Sequence, residues 1–225
     1  MVGEVDRLVA APFQARPSRW STFGLAAIGV GGVALLHWLQ IGHASLVEQV
    51  AGVRAALPLR VELARLPGSL VAPAPRLPMW GAVAQVALVF WLGELNLGWR
   101  RTGMLIVVCH TVATLAGRAM LQHPALTGIA PAVAHHLATT RDTGPSAAVV
   151  GLCVYLGIHR RAYLLCGLLC AAMVVEVIVI PDLAGREHLA AMVAALVVAA
   201  PLLRPSRPPT SNAGRPAARS SVLAA

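Results

Sequence analysis

Lysine is absent from this 225-residue chain, and charge of any kind is scarce. All 18 basic residues are arginines, 9 residues are acidic, and charged residues make up 12% of the whole. Together with 57% hydrophobic residues and a mean hydropathy of +0.72, that scarcity excludes an ordinary soluble domain and fits a polytopic membrane protein. In a soluble protein the net charge of +9 would point to nucleic acid. Here the arginines fall between apolar segments, where they orient spans and meet anionic headgroups, so membrane lipids are the expected partners and nucleic acid is not. Cysteine is sparse too. Cys109, Cys153, Cys166 and Cys170 all lie inside apolar segments, which predicts packing residues rather than a disulfide framework or a metal site. No internal repeat is evident. Arginine-only basicity with Ala/Val richness suggests a GC-rich genome, and hence a bacterial plasma membrane.

What the chain has is long apolar runs. Six spans are expected, at 22–40, 79–97, 103–121, 145–158, 162–180 and 187–203, giving an all-α, six-transmembrane-helix bundle over residues 21–203. A helix rising 1.5 Å per residue needs roughly 20 residues to cross ~30 Å of hydrocarbon, so the fourth span is short. A short span is tolerated where protein surrounds it, which marks it as the central helix. With residues 1–20 taken as a cytoplasmic segment, eleven arginines fall on the cytoplasmic side and seven on the outer side. The pairs Arg100-Arg101 and Arg160-Arg161 sharpen that bias, and both termini come out cytoplasmic. Residues 41–78 mix apolar and charged positions at near-helical spacing, which suits either an interfacial or a surface helix. Residues 204–225 are rich in Pro, Ala, Ser and Arg and are expected to be disordered. Gly42-His43-Ala44 before Ser45 loosely suits a signal cleavage site, but the preceding run is too long for a secretory signal, so the first span is read as uncleaved.

Two polar residues open apolar helices on the outer side. Ser146 follows Gly144-Pro145, so it would sit in the first turn of the fourth span beside unpaired backbone amides. His188 would open the sixth span at a compatible depth. Small residues at Ala147 and Gly151, and at Ala191 and Ala195, would let those spans approach closely. A serine beside a histidine base is a nucleophile, and the amides at the head of the span are oxyanion donors.

These residues resemble the rhomboid family of intramembrane serine proteases. The resemblance rests on Gly144-Pro145-Ser146-Ala147, on Glu187-His188-Leu189-Ala190-Ala191, and on Leu92-Gly93-Glu94-Leu95-Asn96-Leu97-Gly98-Trp99-Arg100-Arg101, and it covers roughly residues 20–203. It implies a Ser146 nucleophile, a His188 general base, transmembrane protein substrates, and no metal or organic cofactor. The family's small residue after the serine is Ala147 here, and its oxyanion His/Asn pair in the second span is replaced by Pro78 and Ala82. Neither has a side-chain donor. Gly144, Asp142 and His110 are the candidate auxiliaries. His110 reads either as a catalytic helper or as a buried histidine bonded to a neighbouring helix, and Asp142 either as an orienting group or as a loop charge. Two alternatives stand beside the protease: a catalytically inactive relative that binds transmembrane clients, and a small transporter using His110, Arg118 and Glu176.

Overall fold

A computed structural model describes residues 1–15, 23–73, 78–142, 144–180 and 182–203. The expected tail at 204–225 lies outside the described residues. Within them the chain is all-α, with one isolated bridge between Val53 and Asp142. The helices are α1 (Val2–Leu8), α2 (Ala10–Ala15), α3 (Gly24–Gly42), α4 (Ala44–Ala51), α5 (Leu59–Val71), α6 (Met79–Leu97), α7 (Trp99–Gln122), α8 (Pro124–Thr127), α9 (Pro131–Thr139), α10 (Ser146–His159), α11 (Tyr163–Val179) and α12 (Leu183–Leu203).

Each expected span corresponds to a helix; α7 and α12 run longer than expected, α11 runs shorter, and α6 keeps its expected bounds. Four of them, α3, α6, α7 and α12, are long and apolar enough to cross a membrane. Helices α10 and α11 are shorter, at 14 and 17 residues. Helix α12 begins a turn earlier than the sequence suggests. Asp182 Oδ1 accepts the Gly185 amide at 2.9 Å, an N-cap that starts the helix at Leu183 and moves His188 from its mouth into its second turn. The mixed segment after α3 forms the helices α4 and α5. The N-terminal segment, whose sequence carries no apolar run, forms α1 and α2.

Helix α10 is the centre of the bundle, enclosed by α6, α7, α11 and α12, with Leu152 and Val154 fully buried. Where lipid is as apolar as leucine, close packing rather than hydrophobicity holds helices together. The small residues supply it. A Cβ on Gly151 would lie 2.5 Å from Cys109 Sγ and 3.2 Å from the Ala191 carbonyl, so α7, α10 and α12 meet there at backbone distance. Ala191 and Ala195 are completely buried beside it. On the other side of α10, Val33, Val86, Phe90 and Leu105 fill the space toward α3, α6 and α7.

Carboxylates and amides tie the end of the bundle that holds the short turns. The buried Glu94 accepts the Ala26 amide at 3.1 Å and so closes the N-terminus of α3. Asn96 donates to the Leu8 carbonyl and accepts from Arg160 Nε. The opposite end carries the long connections. Helix α5 is clipped to α7 by the Glu62–Arg118 ion pair and by Ser69 with His110, while α4 joins its surroundings through Glu48 and Arg54 at 2.7 Å.

Candidate functional site

The segment leading into α10 is pinned by its backbone. The Asp142 amide donates to the Val53 carbonyl at 2.9 Å and the Gly144 amide to the Ser69 carbonyl at 3.0 Å. Gly144 has φ = +140°, a conformation that side chains disfavour, and this is what turns the chain into the helix. Pro145 is the N-cap, no side chain caps this end, and Ser146 is the first helical residue. Gly144 therefore serves the turn, and its amide is already spent on Ser69 rather than free for an oxyanion.

Ser146 lines a cavity of about 360 Å³ at the long-loop end. The walls come from Pro73, from Pro78 and the α6 it caps (Gly81, Ala82, Gln85), α7 (His110, Thr114), the approach to α10 (Asp142, Gly144, Pro145), α10 itself (Ser146, Ala147) and α12 (Ala184, Glu187). Gly81, Gln85 and Ala184 are exposed, so the cavity opens to the surface between the starts of α6 and α12. Pro78, Ala82 and Gln85 share one face of α6 at helical spacing. The two positions that lack donors thus do face Ser146, and Gln85, one turn deeper, brings an amide that the sequence reading passed over.

The histidine expected to pair with Ser146 is engaged elsewhere. His188 is 8% exposed and does not line the cavity. Its Nδ1 lies 3.2 Å from Glu176 Oε2 on α11, and its Nε2 is buried without a partner. No hydrogen bond joins Ser146 to His188. The physical reason is helical phase: consecutive residues diverge by about 100°. With α12 starting at Leu183, the small-residue face that packs on α10 brings Glu187 to the cavity and turns His188 toward α11. Glu187 is 7% exposed and rests on Gly117 of α7, where a Cβ would sit 2.1 Å from Oε1. Sequence reasoning passed Glu187 by. Its only signal was an acid inside an apolar helix, next to the more familiar histidine.

Glu187 and Asp142 line the cavity together, with their carboxyls close enough for a hydrogen bond. Such a bond needs a proton on one of them. Burial pushes the Asp142 carboxyl above its ordinary range, against the lowering influences of the bond to Glu187 and of nearby His188. Among the described residues no arginine lines the cavity. The other candidates are engaged elsewhere. His110 lies 2.8 Å from Ser69 Oγ, which itself donates to the Leu66 carbonyl at 3.0 Å, so the His110 Nε2–H donates to the serine. His110 is thus a buried histidine bonded to a neighbouring helix, while its ring also borders the cavity. The three residues of the transporter alternative have separate partners: His110 with Ser69, Arg118 with Glu62, Glu176 with His188. Among the described residues no group of three or more His, Cys, Asp or Glu side chains converges as a metal site.

The site is therefore an apolar cavity with a hydroxyl at a helix N-terminus, two buried carboxyls side by side, and a side-chain amide at its mouth. It offers hydrogen-bond acceptors to a donor-bearing guest, and the imidazole on its wall, that of His110, is bonded to Ser69. Comparison with protein-family models, with curated proteins and with solved structures finds no match to this chain.

Proposed function

We propose that this chain is a rhomboid-like membrane protein whose six apolar helices traverse the bilayer and whose cavity receives a transmembrane segment of a client polypeptide, without cleavage by a Ser146–His188 dyad. The observation that carries this reading is the pairing of Ser146 with Asp142 and Glu187 around one cavity while His188 is held by Glu176. The cluster of Arg100, Arg101, Arg160 and Arg161 at the short-turn end supports a cytoplasmic orientation of that end. The cavity then opens on the outer side. Helix α10 spans only about 21 Å, and its enclosure by neighbours is what makes so short a span tolerable. A client helix that loosens at its outer end presents unpaired amides or a basic side chain, and the carboxyl pair supplies acceptors for them.

A second reading is favoured by one specific feature. A carboxylate is a competent general base, and Glu187 is held by a third group, Asp142, in the same cavity as Ser146. In that reading Glu187 takes the hydroxyl proton as Ser146 Oγ bonds to the peptide carbonyl carbon, then returns it to the leaving amine. A fluorophosphonate probe applied to the chain in liposomes separates these readings. The binding reading expects no labelling of folded wild type above Ser146→Ala. Labelling lost in both Ser146→Ala and Glu187→Gln but kept in His188→Ala establishes the second, and labelling lost in His188→Ala restores the dyad. Binding itself is tested with a photocrosslinker at Ala82 and single-span peptides ending in Arg or in Glu on the outer side. The Arg peptide is expected to crosslink preferentially, and Glu187→Gln to remove the preference. Equal capture at the exposed Leu88 on the same helix would overturn the proposal.

A further inference from the structure

On the face of α12 turned away from the cavity, Arg186 stands at the head of a second concavity. This groove, of about 480 Å³, runs between α7, α11 and α12 and is walled by Met120, Thr127, Val177, Leu189, Ala190 and Val193. Arg186, Leu189, Ala190 and Val193 fall at i, i+3, i+4 and i+7, one stripe of the helix. That stripe runs about 10 Å from the guanidinium toward the middle of the bundle. Thr127 contributes the one polar group besides Arg186, and its carbonyl accepts from Arg186 Nη1 at 2.8 Å. Among the described residues that is the one hydrogen bond of a group with five donors. Nε is buried and has no partner, and no carboxylate stands within ion-pair distance among the described residues. Asp182, one turn earlier in the chain, is committed to capping the Gly185 amide. Glu187 points the other way, into the cavity.

An unpaired guanidinium above an apolar trough has a chemical complement: a phosphodiester anion attached to a hydrocarbon chain. We propose that the α7–α11–α12 groove is a binding site for one anionic phospholipid, its phosphate on Arg186 and an acyl chain along Leu189, Ala190 and Val193. Arginine suits this role because its planar fork matches phosphate oxygens and its charge is permanent. A phosphate with no chain would leave the apolar trough empty, and a neutral or zwitterionic lipid would leave the charge less well matched. The proposal rests on the bundle being embedded in a membrane, not on what occupies the cavity. The bound lipid would brace α11 and α12 against α7, close to the contact between His188 and Glu176.

The test is native mass spectrometry of the full chain in detergent. It is offered phosphatidylglycerol, phosphatidylcholine of the same chains, or inorganic phosphate. Wild type is expected to retain phosphatidylglycerol about fivefold better than phosphatidylcholine, the ratio that ~1 kcal/mol per arginine gives. Arg186→Gln should erase that preference, while Arg60→Gln, at an exposed arginine on α5, should leave it intact. Ala190→Trp should reduce retention of both lipids. Arg186→Lys, which keeps the charge, should retain part of the preference and controls for folding, with helicity followed by circular dichroism. An unchanged preference in Arg186→Gln overturns the site. So does an equal loss in Arg60→Gln, which would mean that any arginine serves, and so does displacement of lipid by millimolar phosphate, which would make the ligand a free anion.

Discussion

A single step along a helix separates the residue that faces the cavity from the one that does not. Glu187 and His188 are neighbours in the chain, and the phase of α12 decides which of them lines the cavity with Ser146. Gly117 sets that phase locally, because Glu187 Oε1 occupies the place where a side chain would stand. Gly117→Ala must displace the carboxyl or the helix, and overpacking of this kind costs typically 1–3 kcal/mol. The expected result is a lower melting temperature in detergent, partly recovered when Glu187 is shortened to Asp; an unshifted melting curve would mean that the contact is slack. Asp142 gives a pH signature. Its carboxyl is raised in the folded protein, mainly by burial, so over the window from its ordinary value of 3.8 up to the raised one the native state holds a proton that the unfolded chain has lost. Stability therefore falls as pH rises through that window. Asp142→Asn is expected to flatten that part of the stability profile, measured by thermal unfolding at a series of pH values.

At the scale of elements, helix positions were legible where an apolar run had sharp ends. Pro78 and Gly98 bracket α6, and its observed bounds match the expected ones. The start of α12 was hidden because its cap, Asp182, lies outside the apolar run and looks like any loop acid. Helices α1 and α2 were hidden because their stability comes from tertiary contacts. Glu4 of α1 illustrates this. Its two oxygens accept the Leu164 and Leu165 amides at 3.1 and 3.0 Å, capping α11 from 160 residues away. Those backbone bonds hold the Glu4 carboxyl below its ordinary value. Its contribution is present above the ordinary carboxylate range and is lost as pH falls through the lowered value. Glu4→Gln is expected to speed hydrogen exchange at Leu164 and Leu165 while leaving the buried centre of α10 protected. Uniform loss of protection would show that α1 holds the whole bundle, not one helix end.

For the whole molecule, the sequence read residues 41–78 as an interfacial or a surface helix and left the grip of the long connections on the bundle unread, since that grip consists of pairs far apart in the chain. The residues of the site were legible one by one: Ser146, Asp142 and His110 all border the cavity. Their partners, Ser69, Glu187 and Val53, come from segments that no local pattern links. The strongest clip is Glu62 with Arg118, which joins α5 to α7. Glu62 is 1% exposed, and its burial outweighs the opposing influence of Arg118, so its carboxyl sits above the ordinary range. Arg118 also donates to the Leu57 carbonyl at 2.8 Å. Removing one member of such a pair strands the other, at a cost of roughly 3–5 kcal/mol, whereas replacing both with apolar residues of similar size is often neutral. Glu62→Leu alone is therefore expected to destabilise the protein strongly, and Glu62→Leu with Arg118→Met to recover most of the loss in a double-mutant cycle. Because Ser69 of α5 accepts the Gly144 amide, loosening the clip should also reach the site. Hydrogen exchange at Gly144 is expected to accelerate in the single variant and to return toward wild type in the double. Acceleration confined to α5 would mean that the loops ride on the bundle without shaping the cavity.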